Sequence, residues 1–99
     1  MTDHNTADRL RTIAEGPALD LPPVAWEPPN HIGLAFGMPV AEWDDPALGG
    51  PSVHLSPTGT SWYPHPLIGL GDERLSVEQA EVAARHLLAA VAMAREVTR

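Results

Sequence analysis

The chain has 99 residues, 43% of them apolar, no cysteine, and thirteen acids against six arginines for a net charge of −7. That length supports one domain, 1–99, with a small core, and rules out a second independent domain. Without cysteine there are no disulfides, thiolate metal sites or thiol nucleophiles, which fits a reducing compartment and points to the cytoplasm.

Charge distribution narrows the partners further. No Arg or Lys lies between Arg11 and Arg74, a span of 62 residues that holds eight acids. Phosphate backbones are bound by clustered cations, so nucleic acid is not expected as a partner. The longest apolar run, Leu87 to Ala94, is eight residues, against roughly 20 for a membrane span. Met1 to Leu10 has no basic start followed by an apolar stretch, so neither a secretory signal nor a membrane anchor is expected there.

The first predicted element is a short helix over 6–15. Asn5 or Thr6 suits an N-cap, Leu10, Ile13 and Ala14 recur at helical spacing, and Gly16-Pro17 supplies the stop.

Residues 17–66 follow, holding all eleven prolines together with Trp26, Trp43, Trp62, Tyr63 and Phe36. Proline removes backbone donors and extends its predecessor, which excludes regular helix. The aromatics argue against disorder and for strands and ordered loops. His31 to Phe36 alternates large and small side chains and predicts a strand with Ile32, Leu34 and Phe36 on one face. Ser52–Leu55 and Ser61–Tyr63 predict a hairpin about Ser56-Pro57-Thr58-Gly59-Thr60, where Pro at the second and Gly at the fourth position suit a type I turn. Pro64 and Pro66 would hold its second strand at an edge. Leu67–Leu70 predicts one more strand before Gly71 and Asp72 turn the chain toward the last helix.

Residues 76–97 predict a long amphipathic helix. Ser76 and Gln79 form a capping box, with Leu75 placed to staple onto Ala80. Glu78 and Glu81 lie near the positive end, Arg95 and Arg99 near the negative end. At 100° per residue Ala80, Ala83, Ala84, Leu87, Ala90, Val91, Ala94 and Val97 share a face opposite Glu78, Glu81, Arg85, Ala92 and Glu96. A helix of about 22 residues is about 33 Å long, whereas a five-residue strand spans about 17 Å. Either the N-terminal helix or a second chain must cover the overhang. The small faces Ala80/Ala84 and Ala90/Ala94 allow the close helix approach of a two-fold homodimer.

Leu75-Ser76-Val77-Glu78-Gln79-Ala80, continued by Ala83-Ala84, Leu87-Leu88-Ala89-Ala90 and Ala94, resembles the C-terminal helix of small uncharacterised actinobacterial and actinophage proteins. The resemblance covers about a quarter of the chain. It implies a strand-then-helix architecture and no particular activity. The expected fold is α+β, with a small irregular antiparallel sheet packed against a long C-terminal helix and a short N-terminal helix.

Candidate chemistry is sparse. His54 and His65 straddle the expected hairpin, and a loop of two or four residues would make them diagonal neighbours on one face; a third metal ligand would have to come from His31, Asp44 or Asp45. No metal-ligand spacing of the HxxxH or HExxH kind supports them, and solvent-facing histidines are the simpler reading. Ser56 or Ser61 with His54 and Asp44 composes a hydrolytic triad on paper, without the GxSxG elbow. Neither a glycine-rich phosphate loop nor a cofactor motif is present, so an enzyme is not expected and no cofactor is assigned. Pro23-Val24-Ala25-Trp26-Glu27-Pro28 echoes Pro39-Val40-Ala41-Glu42-Trp43-Asp44. Trp26 and Trp43 therefore either sit on exposed recognition loops or, as so small a core favours, anchor the interior. The leading expectation is a non-catalytic protein-interaction module, a regulator or inhibitor of a phage or its host. It would use Trp26, Trp43, Ala80, Ala84, Leu87, Val91 and Ala94 toward a protein partner or a second copy. Two alternatives are a metal or small ligand at a His and Trp lined site, and an acidic DNA mimic.

Overall fold

The computed structural model describes residues 3–45, 47 and 52–99. Positions 46 and 48–51 of the proline-rich zone lie outside the described residues. The elements in chain order are α1 (Asp3–Glu15), β1 (His31–Ala35), β2 (Met38–Trp43), β3 (Val53–Ser56), β4 (Leu67–Leu70), β5 (Glu73–Ser76) and α2 (Val77–Val97). The fold is α+β, with a five-stranded antiparallel sheet in the order β1-β2-β3-β4-β5 between a short first helix and a long last one. No helix among the described residues is long and apolar enough to cross a membrane. Two compact units divide the chain: Met1–Ala25 with Ala83–Arg99, and Trp26–Val82.

In the sheet unit every connection is between sequence neighbours. β1 and β2 are joined by Phe36 and Gly37, with φ of 52° and 77°. Positive φ at both central residues is the type I′ signature, whose twist matches the flanking strands. Ending β1 at Ala35 moves Phe36 from the expected strand into the turn.

β2 is not among the elements expected from the sequence, and it contains Pro39, which cannot donate to a ladder. Its register resolves the conflict. Ala35↔Met38 closes the two-residue turn as the hydrogen-bonded pair, so Leu34↔Pro39 is the next, non-bonded one. The donor that Pro39 lacks would face β3, and the β2–β3 ladder runs only over Ala41–Trp43. Asn30 N–H donates to Glu42 O at 2.8 Å, and Asn30 Oδ1 accepts from Asp44 N–H at 2.6 Å, extending the β1–β2 pairing by a side chain.

The turn at Ser56–Gly59 forms as expected, with Gly59 N–H donating to Ser56 O at 3.2 Å. The second arm of the expected hairpin does not. Ser61–Tyr63 lies in the loop 57–66, and β3 pairs instead with β4, Val53↔Leu70 through Ser56↔Leu67. Local bonds explain this. Thr60 N–H donates to Tyr63 O at 2.9 Å, Tyr63 N–H to Thr60 Oγ1 at 3.0 Å and His65 N–H to Tyr63 O at 2.8 Å, so the donors that a strand would need are spent inside the loop. Pro64 and Pro66 supply none.

β4 spans the expected residues. After Gly71 (φ 60°) and Asp72 the chain returns as β5 before entering the helix, an element absent from the sequence reading. Ser76 is both the last strand residue and the cap of α2. Its Oγ accepts from Gln79 N–H at 3.1 Å, and Gln79 Oε1 accepts from Ser76 N–H at 3.0 Å, a reciprocal capping box.

In the helical unit α1 begins at Asp3, three residues before its expected start, since no glycine or proline in 3–6 interrupts propagation. Asn5 and Thr6 are therefore interior and not caps. Arg9 of α1 donates from Nη1 to Val97 O at 2.5 Å and from Nη2 to Glu96 O at 3.1 Å. A guanidinium fork thus satisfies terminal carbonyls of α2 at its negative end. The stripe of α2 that is covered differs from expectation. Ala92, assigned to the polar side, is buried, and Leu88, Met93 and Glu96 are half-buried; of the expected apolar face Ala80, Ala83 and Val97 are half-buried, while Ala84, Leu87, Ala90, Val91 and Ala94 are exposed. Ala92, Arg95, Glu96 and Arg99 share a cleft with the extended segment Ala18–Pro23.

Candidate functional site

The register sorts side chains of the sheet into two unlike faces, because successive residues point to opposite sides. One carries Ile32, Leu34, Pro39, Ala41, Trp43, Val53, Leu55, Ile68, Leu70 and Leu75, with Glu73 as its only ionisable group among the strand residues. Ile32 and Leu34 are 73% and 74% exposed, and Leu55 and Ile68 on the inner strands and Leu75 on the edge strand β5 are half-buried.

The other face is polar along one transverse row. His31↔Glu42, Glu42↔His54, His54↔Gly69 and Gly69↔Arg74 are consecutive cross-strand partners, so a single line of side chains crosses all five strands. Beside it lies a mainly apolar zone, with Val40 buried and Met38 and Leu67 half-buried. The loop after β3 contributes Gly59, Thr60 and Ser61, lining with these residues an open-sided cavity of about 430 Å³.

Two glycines shape that cavity. Gly59 has φ of +68°, and a Cβ there would lie 2.1 Å from Tyr63 O and 2.2 Å from His65 O, so the loop closes only around a bare backbone. A Cβ on Gly69 would meet the His54 ring at 2.0 Å. The imidazole therefore lies over Gly69, toward Arg74 and away from Glu42. Among the described residues no hydrogen bond or ion pair engages the side chains of Glu42, His54 or Arg74.

His54 and His65 are not brought together as cross-strand neighbours. His65 sits in the loop, its ring edge-on to Tyr63 with centroids 4.9 Å apart. Among the described residues no three His, Asp or Glu side chains gather as a metal site. Trp26 is 81% exposed, which corrects its reading as a core anchor: it lies in an extended stretch with no ladder partner. Trp43 is half-buried, and its Nε1–H donates to Glu27 O at 2.9 Å, tying the end of β2 to the segment before β1. Of the helix residues expected to bind a partner, Ala84, Leu87, Val91 and Ala94 are exposed and Ala80 is half-buried.

Sequence reasoning missed Glu42 and Arg74 as members of one site. Their signal was faint: Arg74 ends the long cation-free span, and Glu73-Arg74-Leu75-Ser76 alternates as a strand does. No protein-family model matches this chain, and no curated protein or solved structure matches it.

Proposed function

We propose that the chain is a non-catalytic protein-interaction module that acts as a homodimer, two copies packing the apolar faces of their sheets together. The observation that supports this is the face from Ile32 to Leu75, ten apolar side chains with one carboxylate, Glu73, on edge strand β5. Its plan area, five strands about 4.8 Å apart by about five residues of 3.3 Å, is on the order of 400 Å² per copy. With side-chain relief a two-fold sandwich would bury about 1,000 Å² in all, where specific interfaces begin. The same face meets itself across a two-fold, so one surface suffices for closure. A net charge of −7 per copy opposes association through any charged surface. It leaves a nearly uncharged one as the favoured contact.

Light scattering on a sizing column tests this. The mass should rise from 10.6 kDa toward twice that value with concentration. Leu34→Glu should weaken association by about tenfold or more, because it places a like charge in a dry contact. Added salt should tighten the dimer by screening the repulsion between two acidic copies, whereas salt would loosen a complex with a basic partner. A mass fixed at 10.6 kDa up to about 1 mM protein, well above a micromolar dissociation constant, would refute the dimer.

A further inference from the structure

We propose that the open edge of β1 pairs with the β1 of a second copy, antiparallel and in one register, with Gly33 on the two-fold axis. Strand parity fixes which groups are available. Ala35↔Met38 closes the turn as a hydrogen-bonded pair, so His31, Gly33 and Ala35 turn their main-chain groups to β2, and Ile32 and Leu34 turn theirs to the open edge. No loop or side chain among the described residues bonds to the main chain of either. The two edges of the sheet differ in how they are guarded. β5 carries Glu73 and Arg74, its Ser76 N–H is taken by Gln79 Oε1 at 3.0 Å, and the chain leaves it directly for α2. β1 has no proline, no lysine and no acid, the residues that ordinarily stop an edge from recruiting another strand.

A second copy is the occupant because this edge is complementary to itself. Ile32 opposite the partner's Leu34, and Leu34 opposite the partner's Ile32, are two hydrogen-bonded pairs, and their bonds satisfy every outward main-chain group of both residues. The same two residues are the most exposed large apolar side chains of the strands, at 73% and 74%, and they share a face, so each covers its opposite number. Gly33 meets the partner's Gly33 as a non-hydrogen-bonded pair, the closer antiparallel spacing, about 4.5 Å between α-carbons. A side chain there would crowd the axis: a Cβ on Gly33 would already lie 2.8 Å from His31 Nε2, because that ring rests over the glycine. Charge agrees, since copies of net charge −7 meet most easily along a strand that holds no acid. One strand from each copy buries less than the roughly 1,000 Å² of a standard interface, which sets a dissociation constant of about 0.1 to 1 mM. The contact leaves the apolar face of the sheet uncovered, so it stands or falls separately from the face-to-face dimer.

The test is amide hydrogen exchange by NMR at about 0.05 mM and about 2 mM protein, concentrations that bracket this dissociation constant. It is joined by an isotope-filtered NOE measurement on an equal mixture of labelled and unlabelled chains. At the higher concentration the Ile32 and Leu34 amides should exchange about two- to fourfold more slowly, in step with the monomer fraction lost. The Gly33 and Ala35 amides, bonded within the sheet, should not change. An intermolecular NOE between Gly33 α-protons should appear, since a non-hydrogen-bonded pair brings them together. Gly33→Lys, whose Cβ needs only the movable His31 ring to shift, should weaken edge pairing at least about tenfold by setting two like charges at the axis. Equal exchange rates at the two concentrations overturn the proposal, and so does slowing without the Gly33 NOE. A mass that rises with concentration while Ile32 and Leu34 exchange unslowed keeps the face-to-face dimer and removes the edge pairing. Both measurements on the parent chain decide the matter even if Gly33→Lys folds poorly.

Discussion

The two faces of the sheet are made by the same five strands, yet they differ in almost every physical respect. One is apolar and open at β1, where Ile32 and Leu34 stand in solvent. The other is crossed by His31, Glu42, His54 and Arg74 and flanked by the loop after β3. Ordinarily an antiparallel sheet turns its apolar face to the core and its polar face to water. In this chain the buried strand residues, Val40 and Gly69, belong to the polar side. The apolar face is the basis of the dimer proposal, because a surface that gains free energy by losing water favours a second chain.

Substitutions on the cavity side should break this asymmetry in graded steps. Gly59→Ala carries the largest effect: a Cβ at positive φ collides with two backbone carbonyl oxygens that have no room to retreat. A loss of about 3 kcal/mol or more is expected by urea unfolding, with the loop displaced from the sheet. If Gly59→Ala melts like the parent, the loop does not line the cavity as described. Gly69→Ala is smaller, because the obstructing group is the movable end of His54. Roughly 1 kcal/mol should be lost, and the His54 resonances should shift while association through the apolar face stays unchanged. An altered dimer constant would show that the two faces are not independent. Phe36→Asn should have the smallest effect and the opposite sign. Phe36 holds φ of 52° with its ring in solvent at the cavity rim, and asparagine suits that turn position, so a gain of about 0.5 kcal/mol is expected.

Legibility in the sequence followed the range of the forces involved. The helix 76–97, its Ser76–Gln79 box and the Ser56–Gly59 turn rest on contacts between residues three or four apart, and each was readable from its own segment. β2, absent from the sequence reading, accommodates Pro39 because its register places the missing donor beyond the end of a ladder. The hairpin to Ser61–Tyr63 was a reasonable inference from the same local rules. It was overruled because Thr60, Tyr63 and His65 satisfy one another.

The sequence by itself therefore determined the α+β class, the capped C-terminal helix and the absence of thiol chemistry, since these depend on composition and on neighbours along the chain. Tertiary structure alone decided that His54 meets Gly69 instead of His65, that Glu42 and Arg74 stand in one row, and that Ala92 and not Leu87 is the buried residue of the last helix. Those outcomes depend on which distant strand or segment supplies the partner, and a pairing register is a property of two segments that neither carries alone.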